Sequence, residues 1–175
     1  IGKIRTDGKE NLIAAIEIAA AYDQEKAIVP EVCILFGDKL FRGNRTTKIN
    51  AESFDAFQSF NYPALANIGI HIHYDYSAID YTPRTELVSA FCDVDTNIAI
   101  LKLFPGMRPE VIDAVTGIPG LKGIILETYG SGNAPTNKVF LNKVKEVLSK
   151  GIFVYNVTQC QGGSVEMGKY ETSRE

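Results

Sequence analysis

The sequence predicts an α/β protein with parallel, helix-flanked sheets. Two observations support this prediction. Short apolar runs typical of buried strands alternate along the chain with segments whose apolar residues recur at helical spacing. In the second half of the chain, this alternation gives three strands separated by two helices, which is the order that builds a parallel sheet with crossover helices.

The first predicted element is a helix from about Asp7 to Tyr22. Asp7 is a suitable N-cap, and Glu10 three residues later completes an acidic variant of the capping box. Several apolar residues of this helix recur at helical spacing and are expected to face the core. They are Leu12, Ile13, Ile16, Ala19 and Ala20.

Short strands and one break are predicted after this helix. The continuous apolar run at 32–36 suits a strand that is buried on both faces. Residues 38–43 and 69–74 are predicted to form further strands, and residues 53–57 are expected to add a helical turn. Pro63 marks a break in the chain between these elements.

The second half of the chain carries the clearer alternation. Its predicted strands lie at 98–104, 123–128 and 152–157. A short helix with Pro109 in its first turn separates the first two strands. A second helix, capped by Thr136 and stopped at Gly151, separates the last two. The predicted buried face of this second helix consists of Phe140, Leu141, Val144, Val147 and Leu148.

Composition excludes several classes of protein. With 45% hydrophobic and 22% charged residues, the chain is neither disordered nor fibrous. A formal net charge of −3 gives no reason to expect a nucleic-acid partner. No apolar run approaches the roughly 18 residues of a membrane-spanning helix, so no membrane partner is expected either. Three widely spaced cysteines suggest neither a disulfide framework nor a zinc site, and a reducing compartment fits them best.

Three polar segments are candidate sites. The Gly-rich turn that contains Asn133 lies between a strand and a helix, where ligands collect in α/β sheets. The other interpretation, which spacing alone favours, is a turn that merely needs Gly, Asn and Pro. The loop at 42–50 gathers Arg42, Arg45 and Lys48, and it is either an anion-binding loop or a solvated basic loop.

The third segment, at 156–163, also follows a strand, and its Thr158 and Cys160 are expected to point the same way. Cys160 lacks a neighbouring cation in the sequence and is not expected to act as a nucleophile. His71 and His73 share a predicted strand face, but no acid or Cys joins them, so the sequence predicts no metal site.

Six segments together resemble the cytoplasmic, type I bacterial L-asparaginases of the asparaginase/glutaminase family. They are RTDGKENL, LFRGNRTTKINAESFDAF, GIHI, LFPG, LETYGSGNAPTNK and NVTQCQGGSV. The resemblance covers nearly the whole chain and implies a two-domain α/β fold. It implies that residues 1–75 are the back part of the N-terminal domain, 76–96 the inter-domain linker and 97–175 most of the C-terminal domain.

The resemblance also implies an activity, namely hydrolysis of L-asparagine to L-aspartate and ammonia. Members of the family use a Thr nucleophile in a TGGT-type segment, with a second Thr and an Asp from a GTDTM-type segment. Of this catalytic set only the Lys matches a position here, which is Lys48. We therefore expect the chain to be an internal portion of a longer protein and to be inactive alone. A cytoplasmic homodimer or homotetramer without a cofactor is implied.

Two further roles follow from the resemblance alone. Asn133 matches a residue that approaches the substrate of a neighbouring protomer. In allosterically regulated members, a second asparagine binds at positions that match Thr47, Glu127, Asn133, Thr158 and Cys160. Those members carry Arg at the position of Glu127. Because a carboxylate repels the effector's carboxylate, this difference argues against asparagine regulation here, unless Glu127 faces the effector's ammonium group.

Two alternatives to asparagine hydrolysis stay open at this point. A relative that acts on glutamine, or on an amide attached to tRNA, would share most of these segments. A non-catalytic α/β module that binds a small amino acid or a partner chain would share the fold. Upstream TGGT and GTDT segments in the source gene would favour the enzyme, whereas a reading frame that begins at Ile1 would favour the binding module.

Overall fold

The computed structural model describes residues 6–83, 89–166 and 168. The chain divides into two compact units, residues 1–87 and 88–175. In the first unit, one described helix precedes a series of short strands. These elements are α1 (Gly8–Ala19), β1 (Tyr22–Asp23), β2 (Lys26–Ala27), β3 (Cys33–Phe36), β4 (Lys39–Arg42), β5 (Thr47–Lys48), β6 (Phe57–Gln58), β7 (Ala66–Ile68) and β8 (Ile72–Tyr74).

The sheets of the first unit are antiparallel. The larger one has the strand order β3-β4-β7-β8, and the pairs β1-β2 and β5-β6 form two small ladders. Antiparallel pairing replaces the expected parallel one because only Gly37 and Asp38 separate β3 from β4, whereas parallel neighbours need a crossover of a dozen or more residues. The predicted strands at 32–36, 38–43 and 69–74 are confirmed in shortened form as β3, β4 and β8.

One local prediction in the first unit is wrong, and a second is confirmed only in part. Residues 53–57 form bends that lead into β6 rather than a helical turn. The side-chain oxygen of Asn50 accepts hydrogen bonds from the Glu52 and Ser53 N–H groups at 2.8 and 3.0 Å, which favours a turn over a helix. Asp7 does stand at the N-cap of α1, but its carboxylate accepts from the Asn11 side chain at 3.0 Å instead of from a helix N–H group.

The predicted buried stripe of α1 is also wrong. Leu12 and Ile16 are 51% and 61% exposed, and Ile18 is the α1 residue that enters the core of this unit. The helix carries apolar residues on more than one side, so their spacing does not select the face that packs on the sheet. The buried core of the first unit consists of Ile18, Leu40, Leu65, Ala66, Ala78 and Ile79.

The second unit confirms the α/β prediction with a parallel, helix-flanked sheet. Its elements are β9 (Ile98–Lys102), α2 (Pro109–Thr116), β10 (Gly123–Thr128), α3 (Lys138–Ser149) and β11 (Phe153–Thr158). The strand order is β11-β10-β9, and both pairs are parallel. One cluster joins the helices to the sheet, and its buried members are Leu101, Leu103, Ile112, Leu121, Ile124, Leu126, Phe140 and Val147.

The ends of α3 differ partly from the prediction. Asn137 is the N-cap, and its side-chain oxygen accepts a hydrogen bond from the Phe140 N–H group at 2.9 Å, so Thr136 is not the cap. The stop is confirmed, because Gly151 follows the helix with φ +76°, a conformation that favours glycine. Leu148 is 52% exposed and does not belong to the buried face in this unit.

The start of the predicted linker packs in the first unit, where Ala78 and Ile79 are core residues. Residues 84–88 of the linker lie outside the described residues. No described helix is long and apolar enough to cross a membrane.

Candidate functional site

Most candidate residues of the second unit lie at the carboxyl ends of its parallel strands. Glu127 is the next-to-last residue of β10, and Thr158 is the last residue of β11. The register pairs Glu127 with Val157 and Thr128 with Thr158. Loops that leave adjacent parallel strands at this edge are where α/β sheets bind ligands. The strand order therefore brings these segments together, although they are about thirty residues apart in the sequence.

The turn after β10 presents Asn133. The Tyr129 N–H group donates to the Asn133 carbonyl oxygen at 2.9 Å, and the Asn133 N–H group donates back to the Tyr129 carbonyl oxygen at 2.8 Å. Gly130, between them, has φ +49°, which a residue with a side chain adopts only with strain. The turn is thus closed by its own backbone, and Asn133 is half-buried.

Thr158 and Cys160 connect this turn to β11. The Thr158 hydroxyl donates a hydrogen bond to the Gly130 carbonyl oxygen. The same hydroxyl oxygen accepts a hydrogen bond from the Cys160 N–H group at 3.0 Å. The Thr158 side chain therefore holds two backbone segments, while Cys160 itself is exposed.

Sequence reasoning missed Gln159, which lies between these two residues. Its N–H group donates to the Thr128 carbonyl oxygen at 2.9 Å. Its side-chain Nε2 donates to the carbonyl oxygens of Leu103 at 2.6 Å and of Glu127 at 2.9 Å. The Leu103 contact spans 56 residues of sequence, so no local pattern could have indicated it.

Glu127 has a basic neighbour on the sheet. Its carboxylate lies 3.4 Å from the ammonium group of Lys102, the residue beside it in register on β9. The Glu127 side chain is 28% exposed and the Lys102 side chain 65% exposed. This face therefore offers a carboxylate that is partly balanced by an exposed cation.

A cavity of about 440 Å³ opens beside the Asn133 turn within the second unit. Its lining is mainly apolar and includes Leu103, Phe104, Met107, Tyr129, Ala134 and Phe140. Asn137, the N-cap of α3, adds a polar group to it. The size fits a small molecule.

Thr47 and Lys48 belong to the first unit, where they form β5 and are both exposed. Lys48 pairs in register with Phe57, and its Nζ lies 5.8 Å from the centre of the Phe57 ring. A cation over an aromatic ring at this distance is attracted by the ring electrons. The short β5-β6 ladder therefore holds the Lys48 stem while its ammonium group stays accessible.

The loop before Lys48 is tied down at several points. The Gly43 N–H group donates to the Val32 carbonyl oxygen at 2.9 Å, and a Cβ added at Gly43 would lie only 2.9 Å from that same oxygen. This close approach requires glycine. The Thr46 hydroxyl donates to the Arg42 carbonyl oxygen at 2.7 Å and closes the 3₁₀ turn of Gly43–Arg45.

The Arg42 guanidinium is already paired inside the fold and does not face solvent as part of a basic loop. Both nitrogens on one edge of its guanidinium bind the Glu31 carboxylate, and the guanidinium stacks 4.2 Å over the Tyr62 ring. Glu31 also accepts from the Asp80 N–H group at 2.7 Å. The Arg42 hydrogen bond holds the pKa of Glu31 below its usual value, and the reciprocal interaction raises the pKa of Arg42.

His71 and His73 are exposed, and His73 pairs in register with Asn67. Within residues 6–83, 89–166 and 168, no three His, Cys, Asp or Glu side chains form a metal-binding group. Burial raises the pKa of the Cys33 thiol to about 11, so Cys33 stays protonated at neutral pH.

Comparison with known proteins gives the family. A model of the asparaginase N-terminal domain matches residues 1–80, and a model of the glutaminase/asparaginase C-terminal domain matches residues 97–175. The chain is 39% identical over 172 residues to L-asparaginase 1 of Escherichia coli, which covers 98% of this chain and 49% of that protein. It is 36% identical to the L-asparaginase of Dirofilaria immitis, covering 94% of this chain and 27% of that protein.

A solved structure agrees with these matches. L-asparaginase I from Vibrio cholerae superposes with a TM-score of 0.84 at 35% identity and covers 98% of this chain. The chain spans about half the length of the Escherichia coli and Vibrio cholerae proteins, at 49% and 50%. These matches extend over both units and include the segments that carry Lys48 and Asn133. The chain belongs to the asparaginase/glutaminase family.

Proposed function

We propose that the intact protein containing this chain hydrolyses the side-chain amide of L-asparagine to L-aspartate and ammonia. The observation that carries the proposal is the match of both units to asparaginase domains, together with relatives that are named L-asparaginases. The nucleophile is a Thr in a segment outside these 175 residues. This chain supplies residues that help to activate that nucleophile and bind the substrate.

Lys48 is the catalytic residue that this chain contributes. A Thr hydroxyl is a weak nucleophile at neutral pH and needs a neighbouring group that moves its proton. The exposed Lys48 amine, once it has released its own proton to solvent, can accept the Thr proton and becomes an ammonium group over the Phe57 ring. Positive charge beside the attacked amide also favours the oxyanion as the carbon becomes tetrahedral. The closed turns before Lys48 limit its backbone freedom, so that less entropy is lost when the site assembles.

Asn133 binds the substrate. Its side-chain amide can donate to a carboxylate and accept from an ammonium group, and an amino-acid substrate carries both. By the family pattern this contact is made across a subunit interface, so we propose a homodimer or a homotetramer. We also propose that the protein is cytoplasmic, as the resemblance to type I asparaginases implies.

The resemblance implies effector-binding positions at Thr47 in the first unit and at Glu127, Asn133, Thr158 and Cys160 in the second. We propose that asparagine binds only weakly as an effector at the positions of the second unit. The Glu127 carboxylate stands where regulated members have Arg, and it repels an effector carboxylate. Lys102, 3.4 Å away, offsets part of that repulsion. An effector held here would turn its ammonium group toward Glu127.

The domain organisation is proposed on the same basis. Residues 1–75 form the back part of the N-terminal domain, 76–96 the linker and 97–175 most of the C-terminal domain. The ranges of the two family matches, 1–80 and 97–175, support this division. The boundary between the two compact units falls at residue 87, inside the proposed linker.

The test is an ammonia-release assay on the intact gene product, whose mass is measured under denaturing conditions. A mass well above 19.2 kDa with turnover of L-asparagine supports the proposal. Glutamine is longer by one methylene, which a pocket distinguishes by about 1–3 kcal/mol. Faster turnover of glutamine, or of an amide attached to tRNA, would identify that amide, and not asparagine, as the substrate. Release of no ammonia from any of these amides would favour the non-catalytic module.

A further inference from the structure

Gln159 joins the ends of all three parallel strands of the second unit. It follows β11 directly, its N–H group binds the carbonyl oxygen of Thr128 at the end of β10, and its side chain binds the carbonyl oxygen of Leu103 just after β9. The Leu103 N–H group in turn donates to the Glu127 carbonyl oxygen at 3.0 Å. One residue therefore fixes the edge from which three loops leave the sheet.

The orientation of the Gln159 amide follows from its partners. Both partners of the side chain, Leu103 and Glu127, offer carbonyl oxygens, which only accept hydrogen bonds. The amino group must therefore face them, and its two hydrogens serve the two acceptors. We call the hydrogen bonds that Gln159 donates to Leu103, Glu127 and Thr128 the Gln159 clamp. Leu103 is 2% exposed and Thr128 is fully buried, so this clamp lies at the edge of the core.

The Asn133 turn begins one residue after this clamp. Thr128, bound by the Gln159 N–H group, leads directly into Tyr129, whose N–H group and carbonyl oxygen close the turn on Asn133. Thr158, the neighbour of Gln159, holds Gly130 in the middle of the turn. The position of Asn133 is therefore set from the first residue of the turn and from its centre, and both contacts depend on where Gln159 places the end of β11.

We propose that Gln159 is a positioning residue for Asn133: its amide clamp on the strand ends holds the turn in the conformation that binds substrate. This inference rests on the proposed function for its kinetic consequence. The structural consequence, a turn that loosens when the clamp is removed, does not depend on that function.

The first test is hydrogen exchange in the intact protein. Gln159→Glu keeps the side-chain shape but replaces two donors with a carboxylate that faces two carbonyl oxygens. We expect amide exchange in residues 129–134 to become about tenfold faster, since loss of a hydrogen bond weakens local closure by roughly that factor. The Phe140 N–H group, held by the Asn137 cap, should exchange at an unchanged rate. Unchanged exchange at 129–134 would overturn the proposal.

Two companion variants keep this test decisive. Gln159→Met has a similar length but neither charge nor donor, so it tests the clamp if Gln159→Glu fails to fold. Gln161→Glu adds the same charge at an exposed position two residues away and should leave exchange in the turn unchanged. Equal acceleration by Gln161→Glu would mean that the charge of the loop matters, not the clamp, and would overturn the proposal.

The second test is kinetic. Gln159→Glu and Asn133→Ala should each raise KM for L-asparagine about tenfold with kcat within about twofold, because both remove ground-state binding through the same group. The double variant should match Asn133→Ala alone, since Gln159 acts through Asn133. Multiplying effects would overturn the positioning role. If the wild-type protein releases no ammonia, the proposed function fails and the exchange result still decides the role of Gln159.

Discussion

The Thr158 hydroxyl donates a hydrogen bond to the Gly130 carbonyl oxygen and so joins the end of β11 to the turn that carries Asn133. Thr158 is also one of the positions at which we propose weak effector binding. In this chain the same hydroxyl is engaged by two backbone groups, since it also accepts from the Cys160 N–H group. A ligand that recruits this hydroxyl would have to compete with the turn.

Replacing this hydroxyl should weaken the turn. Thr158→Val keeps the shape and removes both hydrogen bonds, so we expect a loss of about 1 kcal/mol in the free energy of unfolding. KM for L-asparagine should rise several-fold, because Asn133 is less firmly placed. Urea unfolding and steady-state kinetics measure the two effects. Thr158→Ser retains the hydroxyl and should stay close to wild type; a loss as large as that of Thr158→Val would point to packing instead.

The cap of α3 distinguishes two adjacent residues. Asn137→Ala removes the side-chain oxygen that accepts from the Phe140 N–H group, and it should cost about 1 kcal/mol of unfolding free energy. Thr136→Ala changes the neighbouring side chain and should cost much less. Urea denaturation of the two variants gives the comparison. If Thr136→Ala lowered the free energy of unfolding more than Asn137→Ala did, Thr136 would be the cap, as the sequence alone predicts.

Protonation of Glu31 should destabilise the first unit. Its pKa is lowered in the folded state by the Arg42 hydrogen bond, so its contribution to stability is present above the unfolded pKa of about 4.3 and is lost as pH falls through the folded value. Thermal unfolding between pH 7 and pH 3 should therefore show a shallower loss of stability for Glu31→Gln than for wild type. At pH 7 this variant should melt several degrees lower.

An exposed carboxylate provides the control for this pH profile. Glu52→Gln removes a charge of the same kind from the surface loop after Lys48 and should leave both the melting temperature and its pH dependence near wild type. If Glu31→Gln and Glu52→Gln gave the same profile, the Glu31–Arg42 pair would not contribute to the pH dependence.

The parallel unit could be predicted from sequence more fully than the antiparallel one. Strand β10 has the predicted bounds because Gly123 precedes its apolar run and a Gly-rich turn follows Thr128. In the first unit the strands are two to four residues long, so their apolar periods are too short to reveal β7 or the direction of pairing. The buried face of α1 was missed because its apolar residues surround much of the helix.

The residues of the candidate site also differ in how far the sequence alone predicts them. The sequence predicts the segments that contain Thr158, Cys160 and Asn133, because they are rich in Gly, Thr and Asn and follow predicted strands. The strand order then shows that these segments lie side by side. Gln159 and Glu31 act through partners 56 and 49 residues away, and such contacts leave no periodic signal. The sequence alone suggests that the Arg42 guanidinium can bind an external anion, but in the fold it is paired with the Glu31 carboxylate.

The most direct test of the account is the kcat of Lys48→Met in the intact protein, measured as ammonia release from L-asparagine. We expect kcat to fall by about 10²–10⁴-fold with KM changed little, because the relay that moves the Thr proton is lost while substrate binding remains. Lys26→Met, at an exposed position of β2, is the matched control and should retain wild-type turnover. A Lys48→Met enzyme with undiminished kcat would contradict the assignment of Lys48 as the catalytic residue of this chain.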